Sequence, residues 1–151
     1  MIAYQLSIFA ENKPGRLAKV TSILAREKIS IRAISISSSD AFGVINMLVD
    51  APEKAQEVLS KAGLTVNLKA VIAVVIEDRP GGLDKLIQLL SRENINIENA
   101  YGFVLESWKK AVFVIDVEQI EGIDNVLKKE GFETLNAGAL AAVEPFHYIK
   151  Y

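Results

Sequence analysis

The hexapeptide NKPGRL at residues 12–17 recurs as DRPGGL at residues 78–83, a displacement of 66 residues. The correspondence continues in register along the helix and strand that follow each hexapeptide. Farther along the chain, Gly63 aligns with Gly131 and the displacement becomes 68. A co-linear series of this length indicates a tandem duplication of one unit.

The change of displacement predicts a two-residue insertion in the second unit. We place it between the third strand and the second helix, because Asp50 still aligns with Asp116 at a displacement of 66. Both aspartates would then end a strand just ahead of a helix, where a carboxylate caps or stabilises the helix N-terminus.

Hydrophobic periodicity predicts the same six elements in each unit, with alternation for strands and a 3.6-residue spacing for helices. The first unit is predicted to have strands at 2–8, 29–36, 42–50 and 64–68, and helices at 17–28 and 52–62. The second is predicted to have strands at 71–77, 97–105, 111–117 and after Gly131, and helices at 82–93 and 121–129. A phase slip between Ile31 and Ile34 indicates a bulge, or a strand that begins near Arg32.

The order β-α-β-β-α-β is that of the ferredoxin-like sandwich, a four-stranded antiparallel sheet with two helices on one face. The sequence therefore predicts an α+β protein of two tandem ferredoxin-like units, at residues 1–69 and 70–144. Residues 138–143 are expected to form an extra strand at a sheet edge or with another subunit. Residues 145–151 are expected to form a C-terminal tail.

Composition excludes several classes of protein. The chain has 151 residues, of which 50% are hydrophobic, with a net charge of −2, which is typical of a folded domain and not of a disordered chain. A pI near 5.5 and third strands without closely spaced aromatics argue against nucleic-acid binding. The longest apolar runs are far shorter than the roughly 18 residues of a membrane span.

The absence of cysteine removes disulfides, zinc–thiolate sites and thiol nucleophiles. The first residues alternate in polarity and lack the basic start of a secretory signal. We therefore expect a cytoplasmic protein without cofactor, metal, nucleic-acid partner or membrane anchor.

The two Pro-Gly loops are the repeated feature that the core does not explain. Each joins a strand to a helix, whose first turn has N–H groups and a positive dipole end that attract carboxylates. Asn12 and Asp78 begin the loops and can bond to their own loop or to the ammonium group of an amino acid. Ordinary turn chemistry explains the same residues equally well.

This loop pattern, opening a β-α-β-β-α-β unit, resembles the ACT domain, a family of small regulatory modules that often bind amino acids. The resemblance covers both units and implies that they lie side by side with a joined antiparallel sheet. It also implies ligands between the loop of one domain and the second strand of its neighbour. The implied ligand-binding residues are Asn12, Pro14, Gly15, Arg16, Leu17, Ser35 and Ile36, and Asp78, Pro80, Gly81, Gly82, Leu83, Tyr101 and Gly102.

The two loops differ in charge, which predicts that the sites are not equivalent and leaves open that one of them is empty. Arg16 favours a carboxylate or phosphate in the first unit, whereas Asp78 favours a cation such as an ammonium group in the second. The apolar residues near the implied sites favour a hydrophobic amino acid over a charged one; they are Ile34, Ile36, Ala100 and Phe103.

Catalysis has little support in the sequence. His147 is the sole histidine, so a two-histidine metal site and a histidine relay are excluded within one chain. The carboxylates near strand ends have no obvious partner residues with which to form an active site. A small enzyme is therefore the least favoured hypothesis. Phe42 and Trp108 occupy comparable hairpin positions, where an aromatic side chain packs on a neighbouring strand or marks a partner surface.

The sequence thus predicts a non-catalytic regulatory protein that binds a small amino acid and signals through domain pairing or a partner enzyme. Unpaired sheet edges promote association, so a homodimer or larger assembly is expected. The alternative is a ligand-free structural module that contacts a partner enzyme.

Overall fold

The computed structural model describes residues 2–142. The chain divides into two compact units, one of Tyr4–Lys69 with Leu140–Ala142 and the other built mainly from Ala70–Ala139. Every strand pair that defines the two units is antiparallel. The protein therefore has the predicted α+β class.

The first unit follows the predicted element order. Its elements are β1 (Ala3–Glu11), α1 (Arg16–Arg26), β2 (Ile31–Ser39), β3 (Phe42–Val49), α2 (Pro52–Lys61) and the first part of β4 (Thr65–Glu77). β3 lies between β2 and β1, with Leu6 of β1 opposite Met47 of β3. Pro52 begins α2, where its fixed φ suits the first turn of a helix, and Gly63 follows the helix end with a φ of 88°.

The second unit repeats this arrangement. After the remainder of β4 come α3 (Gly82–Arg92), β5 (Ile97–Glu106), β6 (Lys110–Val117), α4 (Ile123–Lys129), β7 (Thr134–Leu135) and α5 (Ala137–Ala141). β4 pairs with β6 on one side and with β7 on the other, while β5 pairs with β6. The spatial order β5-β6-β4-β7 is that of a ferredoxin-like sheet.

Each unit has its own hydrophobic core between its sheet and its helices. In the first, Leu6 and Ile8 of β1 pack with Val20 and Leu24 of α1 and with Leu59 of α2. The corresponding core of the second unit includes Ile72, Val74, Leu86, Leu90 and Leu127. The apolar spacing that predicts each helix therefore marks the face that is buried.

The phase slip in β2 is a bulge, as one of the two sequence readings predicts. The register between β2 and β3 shifts between Ile31 and Ala33. Asp50, expected to cap the following helix, instead accepts a hydrogen bond from the Ser30 N–H at 3.0 Å through its Oδ1. The N-cap residue of α2 is Ala51, so the capping prediction for Asp50 is wrong. Asp50 instead stabilises the chain just before β2.

The predicted position of the insertion is also wrong. Leu6 lies opposite Met47, and Ile72 opposite Ile115, so the displacement is already 68 at the third strand. The extra residues lie in the hairpin before β6, where the turn has three residues in place of two and the register shifts between Val104 and Glu106.

The corrected register changes the position of Asp116. This residue corresponds to Leu48 and not to Asp50, and it lies within β6 with only 7% of its surface exposed. It therefore does not cap a helix. Asp50 and Asp116 align at a displacement of 66 without being structurally equivalent. Only the pairing of the strands shows that the two extra residues lie in the hairpin and not after the third strand.

Residues 137–141 form the helix α5 and not the expected extra strand. Alanine has the highest helix propensity, and the Asn136 side-chain oxygen accepts a hydrogen bond from the Ala139 N–H at 2.8 Å, as an N-cap residue does. Val143, the predicted tail at 145–151 and His147 lie outside the described residues.

None of the helices in the described part of the chain is long and apolar enough to span a membrane.

Candidate functional site

The two Pro-Gly loops have the same backbone conformation. Gly15 precedes α1 with a φ of 90°, and Gly81 precedes α3 with a φ of 88°. A Cβ atom on either glycine would meet open space, so glycine is favoured by the left-handed backbone and not by crowding. Each glycine carbonyl accepts the N–H of a lysine in the first helical turn, Lys19 or Lys85.

Each loop is also bonded to the hairpin of its own unit. The Asn12 N–H donates to the Ala41 carbonyl at 2.8 Å, and the Asp78 N–H donates to the Lys109 carbonyl at 3.0 Å. In the second unit, Asp78 Oδ2 also accepts the Trp108 N–H at 2.8 Å. The carboxylate expected to hold an ammonium group therefore positions the hairpin, with further lone pairs to accept another donor.

An ion pair flanks each loop. Lys13 Nζ lies 2.6 Å from Glu11 Oε2, and Arg79 pairs with Glu77 in the same way. The hydrogen bond and the charge of Lys13 hold the pKa of Glu11 below its usual value. Arg16, expected to bind an anion, has Nη2 at 3.6 Å from Glu11 Oε1, so an acid of the same chain already offsets its charge.

A cavity adjoins each loop, and the two cavities occupy equivalent positions. The first has a volume of about 360 Å³. Its lining residues are Phe9, Ala10, Glu11, Arg16, Lys19, Phe42, Gly63, Leu64 and Thr65. The second has a volume of about 870 Å³. Its lining includes the equivalents Val75, Ile76, Glu77, Gly82, Lys85, Lys110, Gly131, Phe132 and Glu133, together with Arg79, Pro80, Gly81, Glu106, Trp108 and Lys109.

Gly82 lines the second cavity at the position where Arg16 lines the first. A Cβ atom at Gly82 would overlap the carbonyl oxygen of Glu77. The start of α3 therefore approaches the end of β4 too closely for any side chain. The arginine side chain that lines the first cavity has no counterpart in the second.

Lysine 85 and Phe132 form a further contact of the second cavity. Lys85 Nζ lies 5.7 Å from the centroid of the Phe132 ring, within the range of a cation–π interaction. In the first unit, Lys19 Nζ instead donates to the Ala62 carbonyl at 3.2 Å, and Leu64 occupies the position of Phe132. Neither lysine is among the predicted site residues, although Lys19 and Lys85 are equivalent at the displacement of 66 and that identity is a signal for the pair.

The predicted site residues do not all lie at these cavities. Arg16 lines the first cavity, and Pro80, Gly81 and Gly82 line the second. Ser35 and Ile36 lie on β2, and Tyr101 and Gly102 lie on β5, outside the lining of the cavity in their own unit.

Tyrosine 101 has a distinct environment on β5. Burial and the nearby Asp116 carboxylate both raise the pKa of Tyr101, because each disfavours the phenolate. Its hydroxyl is therefore protonated at neutral pH, and any role in binding would be as a neutral hydrogen-bonding group.

The described residues contain no group of three or more histidine, cysteine, aspartate or glutamate side chains that could hold a metal ion.

Comparison with known proteins assigns a family to this architecture. The family model described as the ACT domain pair matches residues 1–142. Among solved structures, protein BT0572 from Bacteroides thetaiotaomicron is 36% identical, with a TM-score of 0.88, over 94% of this chain and 97% of that one. Among curated proteins, none matches this sequence.

Two further structures share the fold at lower identity. The ligand-free regulatory subunit of aspartate kinase from Thermus thermophilus is 20% identical, with a TM-score of 0.60, over 85% of this chain and 96% of that one. The regulatory subunit of aspartate kinase from Thermus flavus is 19% identical, with a TM-score of 0.55, over 84% of this chain and 92% of that one.

Proposed function

The chain belongs to the ACT domain-pair family, and on this premise we propose that it is a non-catalytic regulatory protein that binds a small amino acid beside its second Pro-Gly loop. Each of the two proposed units, 1–69 and 70–144, would be one ACT domain. The observation that carries the proposal is the cavity of about 870 Å³ against this loop, compared with about 360 Å³ at the first.

The charges around the second cavity suit a zwitterion. The first turn of α3, at the loop, attracts a carboxylate through its N–H groups and its dipole, and Lys85 lies on that turn. Glu133 also lines the cavity and can attract an ammonium group, whereas Glu77 and Glu106 are already paired with Arg79 and Lys109. A free amino acid presents both charges at once, so it fits this lining better than a simple anion or cation.

The first loop is proposed to be empty or weak. Arg16 lines its cavity and lies beside Glu11, so a ligand carboxylate would have to compete with an existing acid for this cation. We therefore propose one high-affinity site per chain. Equal affinities at two sites per chain would contradict this asymmetry.

Signalling is proposed to run through the hairpin that the second loop holds. Asp78 bonds to both the Trp108 and the Lys109 backbone, so a ligand that repositions the loop shifts the population of hairpin conformations. The partner would be a second copy of the chain or an enzyme, in keeping with a fold shared with regulatory subunits of aspartate kinase. Unpaired sheet edges support a homo-oligomer.

A thermal-shift screen of the full chain against the twenty amino acids tests the proposal. A ligand at about 100 times its dissociation constant stabilises by roughly 2.7 kcal/mol, which raises the Tm of a small protein by several degrees. We expect a selective shift with a few amino acids. Lys85→Met should reduce it, and the matched variant Lys19→Met should not.

One observation supports a second candidate function. Trp108 and Phe42 are 85% and 68% exposed at their hairpins, as expected for aromatics that contact a partner protein. If none of the twenty amino acids raises the Tm, the binding proposal is rejected and this ligand-free interaction module is favoured.

A further inference from the structure

The second unit has a further cavity, at the opposite end of α3 and β6 from its Pro-Gly loop. The volume of this cavity is about 420 Å³. Most of its wall comes from the turn at 93–96, which follows α3, and from the segment at 117–123, which joins β6 to α4. Three acids line it, namely Glu93, Glu118 and Glu121. It is therefore separate from the proposed amino-acid site.

The cavity lies where the second unit lacks a helical turn. α2 begins three residues after the end of β3, at Pro52, whereas α4 begins six residues after the end of β6, at Ile123. At the displacement of 68 that strand pairing gives, the first turn of α2 at 52–54 corresponds to the non-helical segment 120–122. The shortening of α4 accounts for the open space beside the end of α3.

In the first unit, an ammonium group of the chain itself binds at the equivalent helix end. Lys54 Nζ donates to the Glu27 carbonyl at 3.1 Å and lies 3.7 Å from Glu27 Oε2. By displacement, Glu93 is the counterpart of Glu27, and Gly122 is the counterpart of Lys54. The second unit has therefore kept the acid at the end of its first helix and lost the cation that pairs with it.

No base of the described chain replaces that cation. Among residues 2–142, none of the three acids forms an ion pair, and Arg92, next to Glu93, lies 3.9 Å from Glu130 Oε2 instead. The second unit is also the more acidic one, with twelve acidic and seven basic residues over 70–139, compared with six and nine over 4–69. The cavity therefore has an uncompensated negative charge, which attracts cations.

We propose that this cavity binds a small aliphatic amine in its protonated form. The ammonium group takes the place that the Lys54 ammonium group has in the first unit, beside the Glu93 carboxylate and the carbonyl end of α3, where a helix favours positive charge. Ile95, Ile123 and Val126 provide apolar surface for the alkyl chain.

The lining also selects against other cations. Within the described residues, no group of acids is arranged to hold a metal ion. The three acids would repel the carboxylate of a free amino acid. A simple alkylammonium ion satisfies both conditions and also uses the apolar wall.

Titration of the isotope-labelled full chain with n-butylamine, followed by NMR spectra of the backbone amides, tests the proposal. n-Butylammonium has the chain and the charge of a lysine side chain, whereas n-butanol has the chain without the charge. At neutral pH and low salt, we expect saturable shifts of the Asn94 and Gly122 amide signals with n-butylamine. Binding of n-butanol should be at least about ten-fold weaker, because the charge-assisted hydrogen bond is lost.

Variants of one acid in each unit locate the site. Glu93→Gln should weaken n-butylamine binding about three-fold, the effect of one exposed ion pair, and Glu93→Lys, which supplies a cation of the chain, should abolish saturable binding. Glu27→Gln is the matched control, because Lys54 already pairs with that acid, and it should change the affinity by less than about 1.5-fold. Circular dichroism melting confirms that each variant is folded.

The proposal is wrong if n-butanol binds as tightly as n-butylamine, or if Glu93→Lys still binds n-butylamine. Equal losses in Glu93→Gln and Glu27→Gln would also contradict it, because they would show unspecific attraction of the amine to surface acids. None of these results bears on the amino-acid site beside the second Pro-Gly loop, which the amino-acid panel tests by itself. The two proposals therefore fail separately.

Discussion

At the first Pro-Gly loop, Arg16 begins α1 and lies beside Glu11, whereas at the second Gly82 begins α3 against the Glu77 carbonyl. The backbones of the two loops nevertheless agree within a few degrees at Gly15 and Gly81. The loop conformation depends on glycine and on main-chain hydrogen bonds, which tolerate side-chain change. Duplication has therefore kept one scaffold while the two cavities diverged.

Among the variants that test this difference between the two loops, Gly82→Ala is expected to lower the free energy of unfolding the most. The added Cβ would overlap a backbone oxygen that cannot rotate away, so we expect a loss of about 3 kcal/mol in the free energy of unfolding. Arg16→Ala, at the equivalent position, should change it by less than about 0.5 kcal/mol. Urea denaturation measures both, and equal effects would show that the two helix starts are not packed differently.

An intermediate effect is expected where the loops are alike. Gly15→Ala and Gly81→Ala place a side chain in open space but at a φ near 90°, which costs roughly 1–2 kcal/mol. Because strain alone acts at both positions, the two losses should agree within about 0.5 kcal/mol. The same urea series measures both losses in the free energy of unfolding. A much larger loss at one loop would mean that the added side chain is crowded there, which would contradict the open space around both glycines.

The smallest effect is expected from Asp78→Ala, which removes the hydrogen bond to the Trp108 N–H. We expect a loss of about 1 kcal/mol, because the bond lies at an exposed site. Trp108 fluorescence anisotropy should fall as the hairpin is released. Asn12→Ala is the counterpart in the first unit. It should leave the anisotropy unchanged, and an equal fall in both variants would contradict the assigned role of Asp78.

The sheets of the two units also differ on a buried face. In the first, Gln5 and Ser7 bond to Asn46, with Ser7 Oγ 2.8 Å from Asn46 Oδ1. By strand register, the equivalent residues of the second unit are Val71, Ala73 and Val114, all fully buried. A hydrogen-bonded set in one copy and apolar residues in the other both satisfy the rule that buried polar groups are paired.

The duplication, the element order and the Pro-Gly loops could be predicted from the amino-acid sequence. These features are encoded locally, in apolar spacing and in residues such as Pro52 and Gly63 whose backbone preferences are nearly independent of context. The bulge in β2 was visible for the same reason, because a slip in alternation shows in the residues themselves. The family resemblance also came from such a local pattern.

The position of the hairpin insertion, the helix at 137–141 and the lining of the cavities could be seen only in the folded structure. Strand register is set by pairing between distant residues, so Asp116 could not be placed from spacing. Lys85, Trp108 and Phe132 come from a helix, a hairpin and a turn that are far apart in sequence and adjoin one cavity. The sequence thus located the loop, while the fold determined which side chains surround it, because long-range packing has no local signature.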